Sequence, residues 1–171
     1  MRSIGLTLVL GGARSGKSRH AEQLALESGL APVYLATAQA LDAEMAQRIA
    51  AHRARRGPAW RTVEEPLELT DALRRECAPE RIVLVDCLTL WLSNLMVAGH
   101  EVDAESARLL EALPGLRGPV LLVSNEVGQG IVPDNVMARR FVDHAGFLHQ
   151  GIALRADAVV FMTAGLARRL K

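Results

Sequence analysis

LTLVLGGARSGKS, residues 6–18, sets the architecture of this chain. Leu6 to Leu10 is an apolar run of strand length that stops at two glycines. Lys17 to Ser28 then reads as a helix, with Gly29 as its stop. Between them, Gly11, Gly16, Lys17 and Ser18 fit the G-x-x-x-x-G-K-[ST] pattern of a phosphate loop. The glycines let backbone N–H groups turn inward around phosphate oxygens, and the helix that follows aims its positive end at them. Lys17 is expected to reach the β- and γ-phosphates of a nucleoside triphosphate. The Ser18 hydroxyl is expected to bind Mg²⁺.

The same alternation continues beyond the loop. Apolar strands are expected at Pro32–Ala36, Arg81–Val85, Pro119–Ser124 and Ala158–Met162, with a short one at Arg61–Glu64. Helices are expected at Asp42–Arg56, capped by Asp42 and ended by Gly57-Pro58, and at Pro66–Cys77, Leu88–Val97, Ala104–Leu113 and Asp134–Arg155. The last carries an apolar stripe of Met137, Phe141, Ala145, Leu148 and Ile152. Such alternation predicts an α/β protein of the P-loop nucleotide-binding kind, a mostly parallel sheet with helices on both faces. Ligands in these sheets sit at the carboxyl ends of the strands. The polar, glycine-rich segments GGARSGKS, ATAQALD, DCLT and SNEVGQGIVPDN fall there.

Bulk properties narrow the function. The 171 residues suit one catalytic domain over 1–171; half are hydrophobic, 23% are charged and the net charge is +1. That balance argues against a general affinity for nucleic acid or an anionic membrane. Cys77 and Cys87 form no CxxC pair and read as buried thiols. The apolar N-terminal run leads straight into the glycine loop, which is not the layout of a signal peptide. CLTLWLSNLMVAG is too short and too polar to span a bilayer. A soluble, cytoplasmic protein is expected.

Three further segments carry candidate chemistry. RIVLVD ends in Asp86, an acid placed where a phosphate-loop protein holds its magnesium shell. In DAEMAQRIAAHRARR, His52 lies four residues from both Arg48 and Arg56, so the three share a helix face, with Arg55 beside them. Positive neighbours keep an imidazole neutral and nucleophilic, and arginines bind phosphate oxygens bidentately. These residues allow two readings: a histidine that attacks the α-phosphate of a nucleotide, or a solvated basic helix with an incidental histidine. SNEVGQGIVPDN brings Glu126 on a glycine loop, a candidate acceptor for a substrate hydroxyl proton. His20, His100, His144 and His149 read as packing or surface residues.

Taken in order, GGARSGKSRHAE (11–22), YLATAQALDAEMAQRIAAHRARR (34–56), WRTVE (60–64), VDCLTLWLSNL (85–95) and SNEVGQGIVPDN (124–135) resemble the bifunctional adenosylcobinamide kinase/adenosylcobinamide-phosphate guanylyltransferase family of cobalamin synthesis. The resemblance implies two reactions. ATP or GTP phosphorylates a hydroxyl of adenosylcobinamide. GTP then gives GMP to that phosphate through a guanylylated histidine, which matches His52. The nucleotide-contacting positions of the family match Gly11, Gly12, Ala13, Arg14, Ser15, Gly16, Lys17 and Ser18, then Ala36, Thr37 and Ala38, then Arg53, Ala54, Arg55 and Arg56, with Glu64 and Asp86. A carboxylate at Glu64 can accept bonds from guanine N1–H and its exocyclic amine. Some members of the family carry Glu where this chain has Asp86. The resemblance also implies a homo-oligomer, a trimer. The alternative is a plain P-loop small-molecule kinase without nucleotidyl transfer. A switch GTPase is not expected, because no N-K-x-D motif occurs.

Overall fold

A computed structural model describes residues 5–39 and 43–171; within 43–56, only the backbone is described at 44–46, 48, 49, 52 and 55. Seven strands form one sheet: β1 (Leu6–Gly11), β2 (Ala31–Ala36), β3 (Arg61–Glu64), β4 (Arg81–Asp86), β5 (Val120–Asn125), β6 (Ala158–Thr163) and β7 (Leu166–Arg169). Their order is β3-β2-β4-β5-β1-β6-β7. All pairings are parallel except β6 with β7. The helices are α1 (Lys17–Glu27), α2 (Ala43–Arg56), α3 (Leu69–Glu76), α4 (Leu88–Ala98), α5 (Val102–Ala112) and α6 (Val136–Arg155).

The apolar strands are buried because both faces of the sheet are covered. Alternate residues point to opposite cores. Leu8, Leu10, Val33, Leu35, Val83, Val85 and Leu122 pack with α3, α4, α5 and α6. Val9, Tyr34, Ala36, Ile82, Leu84 and Leu121 pack with Ala21 and Ala25 of α1 and with Trp60. Cys77 and Cys87 are both buried free thiols. Among the described residues, no helix is long and apolar enough to cross a membrane.

Five readings from the sequence need correction. β7 was not expected; a tight turn with Ala164 (φ 51°) and Gly165 (φ 79°) folds the chain back antiparallel after β6. Helix α3 begins at Leu69, not Pro66, because the Glu65 carboxylate accepts from the Leu67 and Glu68 N–H groups and holds a turn there first. Helix α5 begins earlier than Ala104, with Val102 buried in its first turn. Helix α6 begins at Val136, where the Asn135 side chain accepts from the Ala138 N–H as its N-cap. The α6 stripe is also shorter than expected. Ala145, Leu148 and Ile152 are buried and Phe141 packs against the core, but Met137 in the first turn is 64% exposed, as is its neighbour Val136 at 62%. The expected cap Asp42 lies outside the described residues.

Candidate active site at the carboxyl edge

β1 ends at Gly11, and its two neighbours in register are Asn125 of β5 and Met162 of β6. The loop from Gly12 to Gly16 therefore leaves the centre of the sheet, and α1 starts at Lys17. Gly16 takes φ 96°, a left-handed turn that a side chain would oppose. The Lys17 Nζ donates to the Gly12 carbonyl at 2.6 Å and reaches Ser15 Oγ at 3.5 Å. Burial lowers the Lys17 amine below its ordinary range, against the pull of the adjacent Cys87 and Asp86.

The loop is braced from two sides. The Glu126 N–H donates to the Gly11 carbonyl at 2.9 Å, and the Gly165 N–H donates to the Ser15 carbonyl at 3.0 Å. A Cβ on Gly11 would lie 2.5 Å from the Met162 carbonyl oxygen and 2.6 Å from Ser15 Oγ. Gly11→Ala is thus expected to destabilise the fold by about 1–3 kcal/mol, since backbone and a packed loop must both give way. Denaturant unfolding of the variant measures it.

Asp86 ends β4, two strands from β1 and paired with Ala36 of β2. The Tyr34 hydroxyl donates to Asp86 Oδ2 at 2.9 Å. Burial, chiefly, and the Asp86 charge push the Tyr34 phenol upward, so it keeps its proton and acts as the donor. The Arg56 guanidinium lies 3.4 Å from the centre of the Tyr34 ring, a cation–π stack. Trp60 meets the same ring edge-on at 6.1 Å. Arg56 Nε and Nη1 are buried without a hydrogen-bond partner among the described residues. The last residue of α2 is in this way tied, through one tyrosine, to the acid beside the phosphate loop.

His52 lies on α2 one turn before Arg56, and Arg53 and Ala54 are exposed. For His52, Arg48 and Arg55 only the helical backbone is described. Glu64 ends β3 with its side chain exposed and is paired with Ala36. Thr37 is fully buried and its hydroxyl is occupied: it donates to the Cys87 carbonyl at 2.7 Å and accepts from the Cys87 N–H at 2.8 Å. The Asp86–Cys87 peptide bond is cis. Ala38 follows Thr37 at the mouth of the segment that leads to α2.

Ser18 and Asp86 supply hydroxyl and carboxylate oxygens, the hard donors that suit Mg²⁺. Tyr34 engages one Asp86 oxygen, Oδ2. Two protein oxygens of this kind fit an ion that keeps most of its water.

Several residues at this edge escaped the sequence reading. Asn125 donates to Thr89 Oγ1 at 2.9 Å, and Thr89 meets Cys87 Sγ at 3.1 Å. Tyr34 and Asn94 also stand here; the available signal was a polar group inside an otherwise apolar run. Glu126 holds its own loop, accepting from the Gly128 N–H at 2.6 Å. His149 is buried and meets Ser124 Oγ at 2.7 Å, His144 pairs with Asp103 at 2.9 Å, His20 is half-buried and His100 is exposed.

A parallel sheet that presents a phosphate loop, its lysine and a strand-end acid at one edge defines a P-loop nucleoside-triphosphate protein. The RadB recombinase shares this fold, with a TM-score of 0.53 and 16% identity over 93% of this chain and 74% of that one. The chain belongs to the cobinamide kinase/cobinamide phosphate guanyltransferase family, whose model matches residues 7–170. It is 58% identical to the bifunctional adenosylcobalamin biosynthesis protein CobP of Pseudomonas aeruginosa, over 96% of both chains. It is 39% identical to the bifunctional adenosylcobalamin biosynthesis protein CobU of Escherichia coli, over 97% of this chain and 99% of that one.

Proposed function

We propose that this chain is a bifunctional enzyme of adenosylcobalamin synthesis, acting as adenosylcobinamide kinase and as adenosylcobinamide-phosphate guanylyltransferase. In the first reaction, the acceptor hydroxyl oxygen of adenosylcobinamide attacks the γ-phosphorus of ATP or GTP, and the β–γ bridging bond breaks. Residues Gly11 to Ser18 hold the triphosphate through backbone N–H groups, and Lys17 follows the charge on the transferred group. Mg²⁺, held by Ser18 and Asp86, would supply charge neutralisation on the phosphates. Tyr34 orients Asp86 for that task.

In the second reaction, a neutral His52 nitrogen attacks the α-phosphorus of GTP. A P–N bond forms, the α–β bridging P–O bond breaks and pyrophosphate leaves. A phosphate oxygen of adenosylcobinamide phosphate then displaces His52, giving adenosylcobinamide-GDP. Arg53 and Arg55 would bind phosphate oxygens. Glu64 would read guanine. The enzyme works in the cytoplasm as a homo-oligomer, a trimer, on small molecules rather than nucleic acid.

The observation that carries this reading is the line Arg56–Tyr34–Asp86, which joins the histidine helix to the acid of the phosphate-loop edge. One nucleotide-binding edge can then serve chemistry at both ends of a triphosphate. GTP labelled at the α-phosphate is expected to leave acid-labile label on the protein, with release of pyrophosphate. An unlabelled protein that still phosphorylates cobinamide would instead be a plain kinase.

A further inference from the structure

We propose that Asn94 is a positioning residue for guanylyl transfer, one that holds the two segments carrying that half of the chemistry at a fixed separation. The proposal rests on the assignment of His52 and Glu64 above. Asn94 lies on α4, on the far side of these segments from the phosphate loop's own helix. Its side-chain amide has two N–H donors, and both are used: one to the Thr37 carbonyl at 2.8 Å, the other to the Pro66 carbonyl at 3.0 Å.

Those two acceptors are not ordinary ladder groups. Thr37 is the first residue after β2, and the segment it opens runs to α2 and His52. Pro66 lies two residues past Glu64, the end of β3. β2 and β3 pair only as far as Ala36 and Glu64, and one more bond follows, from the Glu65 N–H to the Ala36 carbonyl at 2.9 Å. Past that point the sheet no longer fixes one segment against the other. Asn94 does so from the side, as a single planar group bonded to both.

Neighbouring contacts make this a rigid fixture. Trp91, one helical turn earlier on α4 and fully buried, donates its Nε1–H to the Leu67 carbonyl at 2.8 Å. The Thr37 hydroxyl is locked on both the N–H and the carbonyl of Cys87. The Thr37 N–H donates to the Asp86 carbonyl at 3.2 Å. Thr37 therefore cannot follow a displaced Pro66 segment. If Asn94 lets go, the gap between the base-reading side and the histidine side is free to change. The phosphate loop is braced elsewhere, by Glu126 and Gly165, and does not depend on this bond.

The test uses Asn94→Leu, with the same branched skeleton but without donors, and Asn94→Ser, small enough to admit a bridging water. Each purified protein is assayed for covalent label from α-labelled GTP, for the same with inosine triphosphate, and for cobinamide phosphorylation with ATP. Thermal unfolding is followed alongside. In Asn94→Leu the ratio of guanylylation to phosphorylation is expected to fall by about tenfold or more, since displacements near 1 Å at a reacting centre cost up to about 100-fold. Preference for GTP over inosine triphosphate, which lacks the exocyclic amine, is expected to fall with it, and Asn94→Ser to fall between. A merely structural role would lower both activities together and leave base preference alone. That result overturns the proposal, as does full retention of both activities. If Asn94→Leu does not fold, the same ratios in Asn94→Ser decide. A wild-type protein that takes no label removes the His52 assignment itself, an outcome separate from either.

Discussion

Replacing His52 by alanine is expected to erase the covalent label from α-labelled GTP and to lower guanylyl transfer by about 10³-fold or more, the scale on which loss of a covalent nucleophile acts. The reason is chemical rather than structural. Alanine is a better helix former than histidine, and His52 lies inside α2 rather than at a cap. The fold should therefore persist, with circular dichroism unchanged. What disappears is the only group proposed to bond phosphorus and then leave it. Cobinamide phosphorylation, which needs no such bond, is expected to fall far less. Pyrophosphate release from GTP and cobinamide phosphate is the second readout, and it should vanish with the label. Label that survives in His52→Ala would move the nucleophile to another residue.

The second large effect is expected at Lys17. Lys17→Met should reduce phosphorylation by about 10²–10³-fold, as loss of a preorganised charge at a phosphoryl group does. Guanylylation should fall too, because the same residue is proposed to hold the triphosphate for both reactions. Stability should move the other way. Burial holds the Lys17 amine below its ordinary range, so the folded state binds that proton less well than the unfolded chain does. The charged lysine therefore costs stability at every pH below its folded value. The cost fades as pH rises from the folded value towards the ordinary one, where both states lose the proton. Without nucleotide, Lys17→Met is accordingly expected to melt above the wild type at pH 7, with the gap closing in strongly alkaline buffer. A lower melting temperature at pH 7 would mean that the bond from Nζ to the Gly12 carbonyl outweighs the burial of the charge. A protein more stable without its lysine spends stability on its ligand.

Local sequence made the sheet legible. LTLVL and RIVLV are apolar at all but one position each, and a strand buried on both faces needs that composition. The phosphate loop was legible because its chemistry fixes residue types at fixed spacing, and Asp86 because it interrupts an apolar run at the edge where ligands sit. β7 was not. Leu166 to Arg169 has no face to bury, and all four residues are exposed; it exists because a tight turn returns the chain along β6. Met137 misled for the opposite reason, since periodicity gives the face of a helix but not how much of that face is covered. The contacts that make the site were also hidden. Nothing in PVYLA says that Tyr34 will carry Arg56 on its ring and Asp86 on its hydroxyl. Nothing in WLSNL says that Asn94 will meet two carbonyls 57 and 28 residues away in the chain. Such links depend on strand order, and strand order is not a local property.

The bond from Gly165 to the Ser15 carbonyl has a consequence for biosynthesis of the protein. The ribosome makes the phosphate loop well before the β6–β7 turn. The two segments flanking Gly11 in the sheet, β5 and β6, are also made after it. Until they arrive, GGARSGKS has neither its neighbours nor its brace. Nascent chains in the cell, which grow at about 5–20 residues per second, thus pass the whole interval from the loop to β6 with a complete nucleotide signature and no finished nucleotide grip. Competence to bind waits for β6 and the turn after it, and a product cut short before them would keep the motif without the function.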